Sequence, residues 1–224
     1  QYSEYWYPME QSLGPTDYAP LFDRFMRDYL TVKTGRIPNI REVYDVFKGY
    51  SQAYKGTVGE IVADIYKYAK YFMNMVLDKE PDTELRYIFK DINELKVDVA
   101  YPFLMELYDD YSRQVLRRDE FVKIAKLAES YVMRRSICGI PTNSMNKTFA
   151  TLSKEVDKAN YLESIQAAFM WKDSYRRFPN DDEFEKEFLI KDIYNARIRN
   201  YLLRKLENHD RKEHVNVENY TIEH

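Results

Sequence analysis

The chain has 224 residues, 45% hydrophobic and 32% charged, with a formal net charge of −3. That length can bury a substantial core in one large or two small domains, and the charge excludes a uniformly basic coat for nucleic acid while leaving a local basic patch open. The lone Cys138 excludes an internal disulfide framework and fits a reducing, cytoplasmic compartment.

No run approaches about eighteen apolar residues, and Gln1-Tyr2-Ser3-Glu4 is no signal peptide, so no membrane partner is expected. Only 6 Gly and 8 Pro are present, too few for a sheet protein rich in tight turns, so an all-α fold is expected. The 21 Tyr, each a large apolar body with a polar tip, suit the half-buried margins of helices; base-stacking platforms are the alternative.

Residues 1–14 read as an aromatic entry arm. A helix is expected from Asp17 to Thr34, with Leu21, Phe22, Phe25, Met26, Tyr29 and Leu30 on one face and Gly35 at the stop. Asn39 and Glu42 have the spacing of a capping box ahead of a second helix carrying Val43, Phe47 and Tyr50. Thr57 and Glu60 repeat that spacing before a long face of Ile61, Ile65, Tyr68, Phe72 and Val76. Pro81 breaks the chain and Asp82 caps a helix with Leu85, Ile88, Phe89, Ile92 and Leu95. Pro102 opens the next, with Phe103, Leu104, Leu107, Tyr108 and Tyr111. Another begins at Asp119, buries Phe121, Ile124, Ala125, Ala128 and Val132, and ends near Gly139, where Cys138 reads as a buried small hydrophobe. Met145 to Val156 and Leu162 to Phe169 carry two more. Acidic residues after Pro179 start a short helix to about Ile190, and a longer one is expected from Asp192 to Leu206. Beyond Asn208 the apolar period becomes two through Val215, Val217, Tyr220 and Ile222, which reads as a short β-like C-terminal tail. The expected architecture is an irregular multi-helix bundle, with residues 1–174 as a helical domain and 175–224 as the start of a second.

No complete catalytic constellation is visible. His209, His214 and His224 lack the paired spacing and the cysteines of a zinc site, so no metal or other cofactor is assigned to the chain itself. Segment 191–214 is locally basic. Lys191, Arg197, Arg199, Arg204, Lys205, Arg211 and Lys212 outnumber Asp192, Glu207, Asp210 and Glu213 there. It reads either as a solvated helix face or as a face for nucleic-acid phosphates, with Arg197, Arg204 and Arg211 recurring every seven residues. Arg134 and Arg135 close an apolar helix, where they complement its dipole, and one is expected to pair with an acid such as Glu129 or Glu106.

The run Tyr131-Val132-Met133-Arg134-Arg135-Ser136-Ile137-Cys138-Gly139-Ile140-Pro141-Thr142-Asn143-Ser144-Met145-Asn146-Lys147 resembles the helical region of GmrSD-type restriction endonucleases. These combine a ParB-like nucleotide-hydrolysing domain with a C-terminal His-Asn-His nuclease. The runs Tyr5-Trp6-Tyr7-Pro8-Met9-Glu10, residues 28–39, residues 43–48 and Tyr101-Pro102-Phe103-Leu104 carry the same resemblance. The tail Val215 to His224 looks like the opening strand of the nuclease. The resemblance implies a central helical connector of a DNA-cleaving defence enzyme, itself inactive. Its flanking domains would use a divalent metal and a nucleoside triphosphate, and His224 would lie at or beside the general base. It implies DNA and the ParB-like and nuclease domains as partners, with a homo-oligomer also open. The rival expectation is a helical protein-interaction or dimerisation module without DNA contact.

Overall fold

The computed structural model describes residues 2–13, 18–211, 213, 215–217 and 220. Among them are eleven α-helices and no strand. After a turn of π-helix at Tyr2–Trp6 come α1 (Tyr7–Leu13), α2 (Tyr18–Thr34), α3 (Val43–Ala53), α4 (Val58–Val76), α5 (Thr83–Glu94) and α6 (Tyr101–Ser112). The second half holds α7 (Arg118–Ile137), α8 (Met145–Leu152), α9 (Tyr161–Met170), α10 (Asp181–Ile190) and α11 (Arg199–Glu207). The fold is an all-α multi-helix bundle.

Local signals set most boundaries. Thr57 and Glu60 form a reciprocal capping box on α4. Asp82 accepts hydrogen bonds from the Glu84 and Leu85 amides at the start of α5. Asn180 accepts from the Glu183 amide at the start of α10. The Asn39–Glu42 pair is not a capping box. Asn39 instead accepts from the Arg41 amide over a short 3-10 turn, and α3 starts at Val43 without a side-chain cap. The helix expected through Val156 stops at Leu152, where a 3-10 turn at Ser153–Glu155 takes over.

Helix α6 lies at the centre, packed on α2, α4, α7 and α8, with Phe103, Leu104, Met105 and Leu107 buried. Burial of this apolar face is the main source of stability, at about 1.5–3 kcal/mol for each large side chain. Around it α7 packs on α5, α9 and α10. A single core cluster runs from Met9 to Leu202 and so crosses position 174.

The tyrosines sit deeper than the margins. Tyr29, Tyr101 and Tyr131 are fully buried. Five hydroxyls donate to carboxylates from other helices or loops: Tyr29 to Asp64 at 2.8 Å, Tyr71 to Asp109 at 3.3 Å, Tyr108 to Glu80 at 2.6 Å, Tyr161 to Asp110 at 2.8 Å and Tyr201 to Glu129 at 2.6 Å. A hydrogen bond to a charged acceptor contributes about 1.5–3 kcal/mol, so the polar tips reinforce the helix pairs that the rings pack.

Candidate functional site

Two constellations in the second half bring charged groups together. The first docks α11. Tyr201 and Leu202 bury the apolar face of that helix, and Arg204 and Lys205 follow Tyr201 by three and four residues, which puts them on the same side. That side meets Asp91 and Glu94 of α5 and Glu129 of α7. Arg204 Nε donates to both oxygens of Glu94 at 3.1 Å, and Nη2 reaches Asp91 and, at 2.7 Å, Glu94. Lys205 Nζ lies 2.9 Å from Asp91 Oδ2 and 2.9 Å from Glu129 Oε1. Burial works against the Arg204 charge, but the hydrogen bond to Glu94 and the field of Asp91 outweigh it and hold the guanidinium pKa above its ordinary value. Burial raises the Glu129 carboxyl pKa, with the Asp91 charge adding to it and Lys205 opposing it.

Asp91, Glu129, Tyr201, Arg204 and Lys205 line a groove of about 990 Å³ between α5, α7 and α11. Its rim is also paired. Arg118 bonds to Asp82 and Glu84, and Lys126 bonds to Glu84 at 2.7 Å. The groove therefore acts as a latch, with its charges engaged by one another. At the far end of α11, Asn208 clamps the chain that follows. The Val215 amide donates to Asn208 Oδ1 at 2.6 Å, and Asn208 Nδ2 donates to the Val215 carbonyl at 3.1 Å.

The second constellation is built on Arg135. Helix α7 ends in a Schellman turn. The Ile140 amide reaches the Arg135 carbonyl at 2.9 Å and Gly139 adopts φ +64°. This folds Pro141 back beside Arg135, whose Nη2 donates to the Pro141 carbonyl at 2.8 Å and to Ser144 Oγ at 3.2 Å. Nη1 donates to the Tyr175 carbonyl at 2.8 Å, and Tyr131 donates to the Arg176 carbonyl at 2.9 Å. Arg135 is 1% exposed and its Nε has no partner. The acid expected for this arginine pair is neither Glu129 nor Glu106. Arg134 pairs with Asp181 at 2.6 Å, and Arg135 is held by neutral oxygens because the turn brings carbonyls to it. Cys138, expected to be buried, is half-buried at the helix cap.

Arg197, Arg204 and Arg211 do not share one helix face. Asp192 binds the Asn195 amide and side chain, so residues 192–198 form turns rather than helix, and Arg197 lies outside α11. Arg197 is exposed, Arg204 is 12% exposed within the latch, and Arg211 pairs with Glu207 at 2.5 Å. His209 is exposed, while His214 and His224 lie outside the described residues. Val215 and Val217 are not in a strand; the Asn208 clamp takes the Val215 backbone groups that a ladder would use. The β-like tail beyond residue 220 also lies outside the described residues. No group of three or more His, Cys, Asp or Glu among the described residues is placed to hold a metal ion. No helix of the described residues is long and apolar enough to cross a membrane.

The latch was missed in the sequence because its members are far apart, Asp91 and Arg204 being 113 residues distant. The signal available was a pair of cations three and four residues after Tyr201 on one helix. Comparison with protein families, with curated proteins and with solved structures finds no match to this chain.

Proposed function

We propose that this chain is the central helical connector of a nucleotide-dependent, DNA-cleaving defence endonuclease, and that it positions flanking catalytic domains without catalysing either reaction. The motif runs around Arg135 and Tyr101 support the family. The observation that carries the connector role is the α11 latch. The segment leading toward the nuclease-like tail is bonded to α5 and α7 through Arg204, Lys205 and Tyr201. A rigid approach fixes where the following domain stands. In this reading Arg197 is the DNA-backbone contact, since Asp91 and Glu94 engage the Arg204 guanidinium and Glu207 engages Arg211.

The test is to purify the chain, and separately the same chain with the coding sequence that flanks it. Each is assayed on plasmid with Mg²⁺ or Mn²⁺ and each of ATP, GTP and UTP. The chain is expected to be inert and the extended protein to cleave with a metal and a nucleotide. Cleavage or hydrolysis by the chain that survives repurification overturns the connector reading, as does a flanking sequence without a nuclease.

One observation favours the interaction module as a second reading. Met170, Trp171, Leu189 and Ile190 are exposed at the ends of α9 and α10, with Trp171 at 83%. Large apolar side chains that form a contiguous patch in water mark contact surfaces. Self-association that disappears on Trp171→Ser and Leu189→Ser, with no effect on the extended protein's cleavage, favours it.

A further inference from the structure

We propose that the cleft between α2, the α5–α6 connector and the α7–α8 turn binds a small phosphate ester, with its phosphate held by Arg27 and Lys96 and its organic part beside Ile37, Ile40 and Asp28. Two adjoining cavities make the cleft, of about 410 and 260 Å³. Both are lined by Arg27, Asp98, Val99 and Asn146.

The larger cavity has an excess of positive charge. Arg27, Lys96, Arg135 and the rim residue Arg197 line it against a single carboxylate, Asp98, which is already 3.1 Å from Arg24. Among the described residues, Arg27, Lys96 and Arg197 form no ion pair with a carboxylate, and the acid whose field reaches Arg27 is its neighbour Asp28. The bonds of Arg135 to neutral carbonyls leave its full charge in place, and in a buried setting that charge is weakly screened. The Nε atoms of Arg27 and Arg135 are both buried without partners. Such groups are rare in folded proteins, and here both belong to cations lining one cavity. The Thr142–Ser144 turn and the start of α8 lack any side-chain cap, and Thr142, Asn143 and Asn146 line the same cavity.

The smaller cavity suits the rest of the molecule. Pro20, Ile37, Ile40 and Pro102 give it an apolar wall. Asp28, 6% exposed, lines it with Oδ2 unpartnered, free to accept a hydrogen bond from a hydroxyl or amino group. The cations that face a ligand here are Arg24, Arg27, Lys96, Arg135 and Arg197, and the acids are Asp28 and Asp98. The recess decides the size of ligand. A duplex phosphate stands on a broad cylinder and does not enter a concave site, whereas a ribose phosphate or mononucleotide does.

The experiment is calorimetric titration of the intact chain with inorganic phosphate, ribose 5-phosphate, AMP and a short DNA duplex. The variants are Arg27→Gln, Lys96→Gly and Asp28→Asn. Lys96 holds φ +54°, a conformation glycine adopts freely, so Lys96→Gly is expected to fold. Saturable binding of ribose 5-phosphate or AMP is expected, at least about tenfold weaker in the first two variants. Asp28→Asn is expected to weaken the esters and leave inorganic phosphate unchanged. The proposal is overturned if neither ester binds, if Arg27→Gln and Lys96→Gly bind as the parent does, or if only the duplex binds. The readout is ligand binding to the chain, so its failure leaves the connector reading intact.

Discussion

At the scale of single residues, Asp28 shows how burial outweighs opposite charge. Its carboxyl is pushed up to about 7 by burial, with Arg24 and Arg27 pulling it down and Asp98 adding to the rise. A raised folded pKa means that the protonated form is the one the fold favours. The contribution is fully present below the unfolded value near 3.8 and is lost as pH rises through about 7. Asp28→Asn should therefore stabilise the chain above neutrality, by up to about 4 kcal/mol, and lose that advantage as pH falls toward 4. Thermal unfolding of both proteins across that range checks it, and a gain that is constant with pH would sink the assignment. Nothing in the sequence singled out Asp28, because its position on α2 next to an apolar face reads like any solvated aspartate. The tyrosines were legible only in part. Rings with polar tips pointed to half-buried margins, whereas Tyr29, Tyr101 and Tyr131 are fully buried, because hydroxyl bonds to carboxylates and carbonyls let the polar tip go into the core.

At the scale of elements, helix existence was readable from apolar period and caps, and the errors fall where a polar side chain competes with the helix. Asp192 draws Asn195 into a turn and shortens the last helix to Arg199–Glu207. That competition is what separates Arg197 from Arg204. The stop of α7 was legible from Gly139 before Pro141. At φ +64°, with open space around an added Cβ, the cost of Gly139→Ala is purely conformational, about 1–2 kcal/mol. Chemical denaturation should show that loss with an unchanged slope. An unaffected midpoint would mean the turn relaxes at no cost and does not hold Arg135 in place. For α11, Arg204→Met should destabilise by about 2–4 kcal/mol, since it removes the Glu94 ion pair and leaves Asp91 beside it with Lys205, which Asp91 shares with Glu129. Hydrogen exchange should locate the loss in α11. Uniform loss across all helices, or none, would contradict the latch.

At the scale of the whole molecule, the question is whether residues after 174 are an addition or part of the core. Composition shifts near Trp171, which is why a domain start at 175 is the natural sequence reading. The structure places two sets of long-range bonds across that point. Arg135 and Tyr131 donate to carbonyls of Tyr175, Arg177 and Arg176. Asp91, Glu94 and Glu129 receive Arg204, Lys205 and Tyr201. Removing 175–224 would leave a guanidinium at 1% exposure short of a main acceptor, and two carboxylates, Asp91 and Glu129, stripped of their cations. It would also open the core surface covered by Ile198, Tyr201 and Leu202. Each orphaned buried charge costs about 3–5 kcal/mol, comparable to a large part of a domain's net stability. A chain ending at 174 should therefore unfold at a much lower denaturant concentration, or fail to fold, while the 224-residue chain unfolds in one transition by circular dichroism and by fluorescence. If the shortened chain keeps the parent midpoint, or the parent shows two separated transitions, the segment is a separate domain and α11 does not hold it to the bundle.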